Sequence, residues 1–205
     1  MSEQDSSSVS TAPPNQVAAW TFFLQWAKHP LTTASMVPSG RQLTRQMMRQ
    51  LPADARHVVE LGAGTGVFTQ ALIEHGIAPE DLLVVELNPE FHGLLCRRFP
   101  ALEIINGDAR DLQAIVARAG MDAGVDAVVS GLGFLAMPRE IQKQILEAVF
   151  AVLGKGRSLI QFTYGPKAPI PQDLLEELGL TATRVGFAPL NLPPAFVYKL
   201  SRRAD

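Results

Sequence analysis

The sequence predicts an α/β fold: a mostly parallel seven-stranded sheet with an antiparallel last strand and helices on both faces. Three observations carry that expectation. From residue 57 onward, short apolar runs alternate with amphipathic stretches, the pattern of parallel strands joined by crossover helices. The first run, Val58-Val59-Glu60-Leu61, passes straight into the turn Gly62-Ala63-Gly64-Thr65-Gly66. The chain then finishes in two strand-like runs separated by a segment broken by Pro189, Pro193 and Pro194, which suits an antiparallel pair closing the sheet. With 205 residues, 47% of them apolar, the chain can fill one core with helices on both sides of a sheet.

Strands are expected at 57–61, 82–86, 102–105, 125–130, 158–163, 181–187 and 196–201. Between them, helices are expected at 66–75, 89–98, 110–118 and 138–153. Residues 1–16 are rich in Ser, Thr and Pro without hydrophobic periodicity, so a disordered tail is expected there. Residues 17–56 should form two helices, 17–29 ended by Pro30 and 41–51 ended by Pro52. Residues 57–205 would then be the ligand-binding domain.

The glycine turn points to a nucleotide crevice at the carboxyl ends of neighbouring parallel strands. Three glycines in five residues let the backbone turn tightly and let a ligand approach bare main chain. A pyrophosphate-binding turn would read G-x-G-x-x-G, whereas Val67 stands where its third small residue belongs. Glu60 would also repel a pyrophosphate. An E-x-G-x-G-x-G turn instead suits S-adenosylmethionine, which carries ammonium and sulfonium centres and no phosphate. The plainer reading of Glu60 is a cap for the turn. Glu86, ending the second strand, is placed to accept both ribose hydroxyls. Glu60, Gly62, Ala63, Gly64, Thr65, Gly66, Glu86, Leu87, Asp108, Ala109 and Ser130 are the expected cofactor-binding residues. Asp108 would take the exocyclic amine of adenine, cap the helix after it, or do both.

The acceptor should meet Ser130, Gly131 and Leu132 after the fourth strand and Tyr164 at the end of the fifth. Two glycines near that fourth strand, Gly131 and Gly133, suit close approach of a ligand, or they only make a turn. Tyr164 could hydrogen-bond an amine or hold a cation on its ring; the plain alternative is a tyrosine packed under a loop. His75 and His92 read as surface groups. The single cysteine, Cys96, excludes an internal disulfide, fits a reducing compartment and is expected to be a small buried group on a helix. A net charge of −2 argues against bulk attraction to nucleic acid. Nothing reads as a leader or a membrane span, so a cytoplasmic protein is expected.

The strings VVELGAGTGVFTQAL, VVELNPEF, GDARDL, SGL-x-x-LAMPREIQ, QFTYGP and VGFAPLNLPPAFVYKL, with WTFFLQWAKHPLTTASMVPSGRQL at the front, resemble the bacterial phospholipid N-methyltransferase family. The likeness runs over nearly the whole chain after the tail. The glycine turn is common to all class I methyltransferases; the SGL-x-x-LAMP, QFTYGP and NLPPAFVY strings are more particular. The resemblance implies a class I Rossmann-like methyltransferase fold and stepwise methylation of phosphatidylethanolamine towards phosphatidylcholine, with S-adenosylhomocysteine as the other product. It implies that Glu60, Gly62, Gly64 and Glu86 hold the cofactor. Two departures stand out: Gly133 where the family reads proline, which would loosen the acceptor loop, and Gly154-Lys155-Gly156 in place of P-G-G.

A lipid acceptor requires contact with a bilayer. The expected helix 17–29 carries Trp20, Phe23 and Trp26 and could lie in an interface, or simply pack on the core. Arg41, Arg45 and Arg49 recur every four residues along one helix face. Residues 17–56 hold five cations against one acid, a net +4, which leaves −6 for the rest of the chain. That asymmetry favours docking on the anionic inner membrane as a peripheral protein; a solvated helix face is the alternative. No nucleic-acid or obligate protein partner is expected. Two other functions stay open. An RNA adenine N-methyltransferase would need an N/D-P-P-Y or N-L-P-Y motif after the fourth strand, and the chain has neither. A non-catalytic S-adenosylmethionine-binding protein would follow if Gly133 marked a lost acceptor site.

Overall fold

The computed structural model describes residues 38–121, 124–164 and 167–203. The expected tail 1–16 and helix 17–29, with Trp20, Phe23 and Trp26, lie outside the described residues.

Seven strands form one sheet in the order β3-β2-β1-β4-β5-β7-β6. They are β1 (Val58–Leu61), β2 (Leu82–Glu86), β3 (Glu103–Asn106), β4 (Val125–Ser130), β5 (Leu153–Tyr164), β6 (Leu180–Ala188) and β7 (Ala195–Arg202). Strands β1 to β5 are mutually parallel, and β7 runs antiparallel to both β5 and β6. The central strands are buried on both faces, which is why they read as continuous apolar runs rather than alternating ones.

Helices cover both faces. On one side lie α1 (Pro38–Met48), α2 (Val67–His75) and α3 (Pro89–Arg98), whose Leu43, Met47, Phe68, Leu72 and Leu95 pack with Val58, Val84, Val129 and Ile160. On the other lie α4 (Leu112–Arg118), α5 (Arg139–Val152) and α6 (Gln172–Glu177), whose Ile115, Leu146, Val149 and Leu174 pack with Val59, Leu83, Val128 and Leu159. The described part of residues 17–56 therefore shares the core of the sheet.

Several elements differ from expectation. Helix α1, expected to start after Ser39 and run to Leu51, begins at Pro38 and stops at Met48. Strand β5 begins at Leu153, which pairs with Val125, and the stretch expected as a turn, residues 154–157, bulges from the ladder before pairing resumes at Ser158 with Ala127. Helix α6, with six residues, was not expected; burial of Leu174 and Leu175 in the core holds it. Cys96 is exposed rather than buried, because it faces outward on α3 with Sγ 3.5 Å from His92 Nε2. Among the described residues, no helix is long and apolar enough to cross a membrane.

Strand order reverses between β1 and its two neighbours, β2 on one side and β4 on the other. In an open α/β sheet this reversal leaves a crevice beyond the carboxyl ends of the strands, at Leu61, Glu86 and Ser130.

Candidate active site

The glycine turn opens the crevice. Gly62, Gly64 and Gly66 have φ of +67°, +56° and +83°, a region that side chains with a Cβ rarely enter. Two of them also permit close packing. A Cβ on Gly62 would stand 2.7 Å from Leu132 Cδ2, and one on Gly66 would stand 2.5 Å from the Phe99 ring. Ala63 is buried, and the Thr65 carbonyl accepts Arg98 Nη1 at 2.6 Å.

Glu86 braces this turn from the next strand. Its Oε2 accepts the Gly64 amide at 2.8 Å, and its Oε1 accepts the Asn88 amide at 2.8 Å. Asn106 Nδ2 donates to the carbonyls of Glu86 and Leu87, fixing the start of the following loop. Each Glu86 oxygen keeps a second lone pair, so the carboxylate can still accept ribose hydroxyls at the crevice.

Glu60 lies beneath the turn. It is fully buried on the α2 face, where Thr69 Oγ1 donates to its Oε2 at 2.6 Å. Its Oε1 has no hydrogen-bond partner. Burial pushes the carboxyl up to about 8, a rise the Thr69 hydrogen bonds oppose and the nearby Glu86 charge reinforces. The carboxylate therefore does not stand at the open crevice, and it is largely protonated at neutral pH.

An apolar cleft of about 480 Å³ opens beside the turn on the α4–α6 face. Leu87, Ala109, Leu132, Met137, Ile141 and Ile145 form its apolar walls, with Gly62, Glu86 and Asp108 at its polar edge. Leu87 is 64% exposed and offers its side chain to the cleft. Asp108 serves the role of cap: its Oδ1 accepts the Arg110 amide at 2.9 Å, and its Oδ2 pairs with Arg110 Nη2 at 2.7 Å. That guanidinium holds the Asp108 carboxyl below its usual range. The carboxylate still borders the cleft.

The loop after β4 is firmly held. Ser130 is buried, and its Oγ accepts the Leu132 amide at 3.2 Å. Gly131 packs directly against the first turn, where a Cβ would come within 2.5 Å of the Gly62 carbonyl oxygen. Gln161 Nε2 donates to the Leu132 carbonyl at 2.9 Å, and Gln142 Nε2 donates to the carbonyls of Phe134 and Met137. Gly133 itself has φ −82° and ψ 62°, and the Phe134 amide closes on the Leu132 carbonyl at 3.0 Å. That is an inverse γ-turn. Glycine at 133 therefore sits in an ordered, hydrogen-bonded turn. The structure brings Leu132 to the apolar cleft and uses Ser130 and Gly131 to seat it.

Tyr164 ends β5 on the other face of the sheet, with its ring edge-on to Phe162 at 5.3 Å. Burial pushes its phenol up to about 12, opposed by a hydrogen bond with Asn191. A phenol this weakly acidic stays neutral and works by hydrogen bonding. The adenosine-sized cleft and Tyr164 thus lie on opposite faces of the sheet edge.

Reasoning from sequence missed Met137, Ile141 and Ile145, although the LAMPREIQ string holds two of them. It also missed Gln161, a polar residue in an otherwise apolar run, which was the available signal.

The cradle fits S-adenosylmethionine: an apolar cleft for a purine, a carboxylate at its edge for a ribose, and a glycine turn bordering both. Fold and site together define a class I S-adenosylmethionine-dependent methyltransferase. Comparison with known proteins agrees. Residues 58–156 match the family model described as a methyltransferase domain. The chain is 36% identical to an ornithine lipid N-methyltransferase from Singulisphaera acidiphila, over 86% of this chain and 94% of that one. Among solved structures, a 1,6-didemethyltoxoflavin-N1-methyltransferase from Burkholderia thailandensis with bound S-adenosylhomocysteine superposes with TM-score 0.64 at 15% identity, covering 98% of this chain and 94% of that one. The magnesium protoporphyrin IX methyltransferase of Synechocystis with bound S-adenosylmethionine gives TM-score 0.60 at 12% identity, covering 95% and 100%. The chain belongs to the S-adenosylmethionine-dependent methyltransferase family, and its cofactor is S-adenosylmethionine.

Proposed function

We propose that the protein N-methylates the primary amine of a membrane-lipid headgroup, as found in phosphatidylethanolamine and in ornithine lipids. The observation that carries this reading is the 36% identity to an ornithine lipid N-methyltransferase across 94% of that relative. The strings shared with phospholipid N-methyltransferases support the same acceptor chemistry.

The residues divide the work by face. Leu87, Met137, Ile141 and Ile145 enclose the purine, Asp108 accepts its exocyclic amine, and Glu86 accepts the ribose hydroxyls while holding Gly64. Gly62 borders the cleft, and Gly131 packs against its carbonyl so that Leu132 is seated in the cleft wall. When bound, S-adenosylmethionine supplies a sulfonium methyl group; the N–C bond forms as the S–C bond breaks, and the amine proton passes to water. Tyr164 stands on the acceptor side and orients the amine through its neutral phenol. An ammonium entering this half-buried region loses hydration, which lowers its pKa and frees the lone pair. Positioning of this kind contributes about 7–11 kcal/mol in well-oriented reactions, enough to dispense with a strong base. The protein in this reading is a peripheral enzyme that works at the inner leaflet.

The test uses purified full-length protein with methyl-labelled S-adenosylmethionine and separate liposomes containing phosphatidylethanolamine or ornithine lipid, beside structured RNA. Label is expected in the amine of one or both lipids. Label only in RNA, or cofactor binding with no labelled lipid, would reject the proposal.

A further inference from the structure

The loop between β6 and β7 carries two apolar side chains that no core uses. Leu190 and Leu192 are 70% and 84% exposed, while Asn191 between them is 7% exposed. This alternation is braced. The Asn191 amide donates to the Ala188 carbonyl at 3.2 Å, and Asn191 Nδ2 donates to the Pro193 carbonyl at 2.7 Å. With Asn191 turned in, both leucines turn out. Single exposed leucines are ordinary, but a pair held outward on a hydrogen-bonded loop marks a contact surface.

The loop is also tied to two neighbours. The Leu190 amide donates to Gln42 Oε1 on α1 at 2.9 Å. The Asn191 side chain hydrogen-bonds the Tyr164 phenol at the acceptor end of β5. Arg41 and Arg45 on α1 and Arg49 just past its end are all exposed and recur at the four-residue spacing of one helix face, and Arg41 and Arg45 also line a pocket with Glu74 and His75 of α2. Among the described residues, no carboxylate stands within ion-pair distance of any of the three. Two outward leucines thus stand on a loop that is tied at one point to the arginine-bearing helix α1 and at another to Tyr164.

We infer that the 189–194 loop and the arginine face of α1 form one surface that seats the protein on an anionic bilayer. Leu190 and Leu192 enter the acyl boundary, and Arg41, Arg45 and Arg49 face the lipid phosphates. This inference rests on the lipid-amine reading above. It adds a physical route: a headgroup can reach Tyr164 while its acyl chains stay in the membrane, because the loop that touches Tyr164 is itself the inserted part. The pairing of an apolar tip with flanking cations is the arrangement that interfacial binding favours, since burial and phosphate attraction act together.

The experiment is flotation of the full chain with vesicles of phosphatidylglycerol and phosphatidylcholine, comparing wild type with Leu190→Ser/Leu192→Ser. Both leucines are exposed, so the variant should keep its melting temperature. Its vesicle affinity is expected to fall roughly tenfold or more. In a Cys96→Ser background, Leu192→Cys bearing an environment-sensitive dye should shift to the blue on vesicles. Unchanged flotation of the double variant, or a dye that stays water-exposed on bound vesicles, would overturn the inference. Turnover of amine lipid dispersed in detergent separates the two claims. Lost flotation with retained micellar turnover supports both, while methylated lipid with unchanged flotation removes only the docking surface. Lost flotation with no lipid ever methylated keeps the surface and removes the acceptor assignment.

Discussion

Glu86 and Gly64 meet across the crevice, the carboxylate Oε2 accepting the glycine amide at 2.8 Å. The same side chain holds Asn88 with its other oxygen, so one acid ties the glycine turn to the loop after β2. Removing it releases the glycine turn and, in the proposed reading, also takes away the acceptor for the sugar. Glu86→Ala is expected to weaken S-adenosylhomocysteine binding by about ten- to a hundredfold, since hydrogen bonds to a charged group contribute about 1.5–3 kcal/mol. Titration calorimetry measures it, and an unchanged Kd would refute the role.

Glu60 has a consequence for pH. The unfolded chain releases this proton near 4.5, whereas the folded chain holds it until about 8. Between those values the native state binds more protons, so stability falls as pH rises, and the fall ends once both forms are ionised. Glu60→Gln keeps an acceptor for Thr69 and cannot ionise. Its stability should exceed that of wild type by a growing margin from pH 5 to pH 8, reaching on the order of several kcal/mol. Urea melts across that range decide the matter; parallel curves would show that Glu60 does not titrate as its burial implies.

Binding of a cationic donor should reverse part of that penalty. A positive charge near the buried carboxyl favours its ionised form, so donor uptake at pH 7 should release a proton. Calorimetry of S-adenosylmethionine in buffers of different ionisation enthalpy reads the release directly. The release should disappear in Glu60→Gln, and its persistence there would assign it to another group.

Gly131 and Gly133 should behave differently despite their closeness. A Cβ at 131 would stand 2.5 Å from the Gly62 oxygen, so Gly131→Ala must push the two loops apart. Overpacking of this kind costs about 1–3 kcal/mol, and the displaced Leu132 should weaken donor binding as well. Gly133 has a negative φ open to any residue, and Gly133→Ala is expected to be tolerated. Thermal melts with and without S-adenosylhomocysteine compare them; equal losses would contradict the packing argument.

Tyr164 should not appear in the pH profile. With its phenol raised to about 12, it stays protonated wherever the enzyme works. Tyr164→Phe is expected to lower kcat/KM about tenfold through a lost hydrogen bond, with the shape of the pH–rate curve unchanged. Loss of an alkaline limb in the variant would make it a proton-transfer group instead.

Much of the architecture was legible along the chain because its signals are local. Strands β2 and β4 and helix α3 fall where apolar runs, Asn88 as a cap and Pro89 mark them. The E-x-G-x-G-x-G turn and the acid at the end of β2 likewise announced a phosphate-free nucleotide site. What failed depended on partners far away in sequence. The start of β5 looks like a turn until β4 pairs with it, and α6 is too short to show periodicity before Leu174 and Leu175 find the core.

The amino-acid order alone determined the doubly wound sheet and the kind of cofactor, because tight turns and buried strands leave residue-by-residue marks. Only folding decided what those residues do. It placed Glu60 under the turn instead of at the crevice, because β1 alternation turns that side chain towards α2 and Thr69. It gave Gln161 the task of holding Leu132, and it tied the Leu190 amide to Gln42 of α1. Such roles arise from contacts between distant segments, where burial and unmet hydrogen bonds are shared across strands and cannot be read from any one of them.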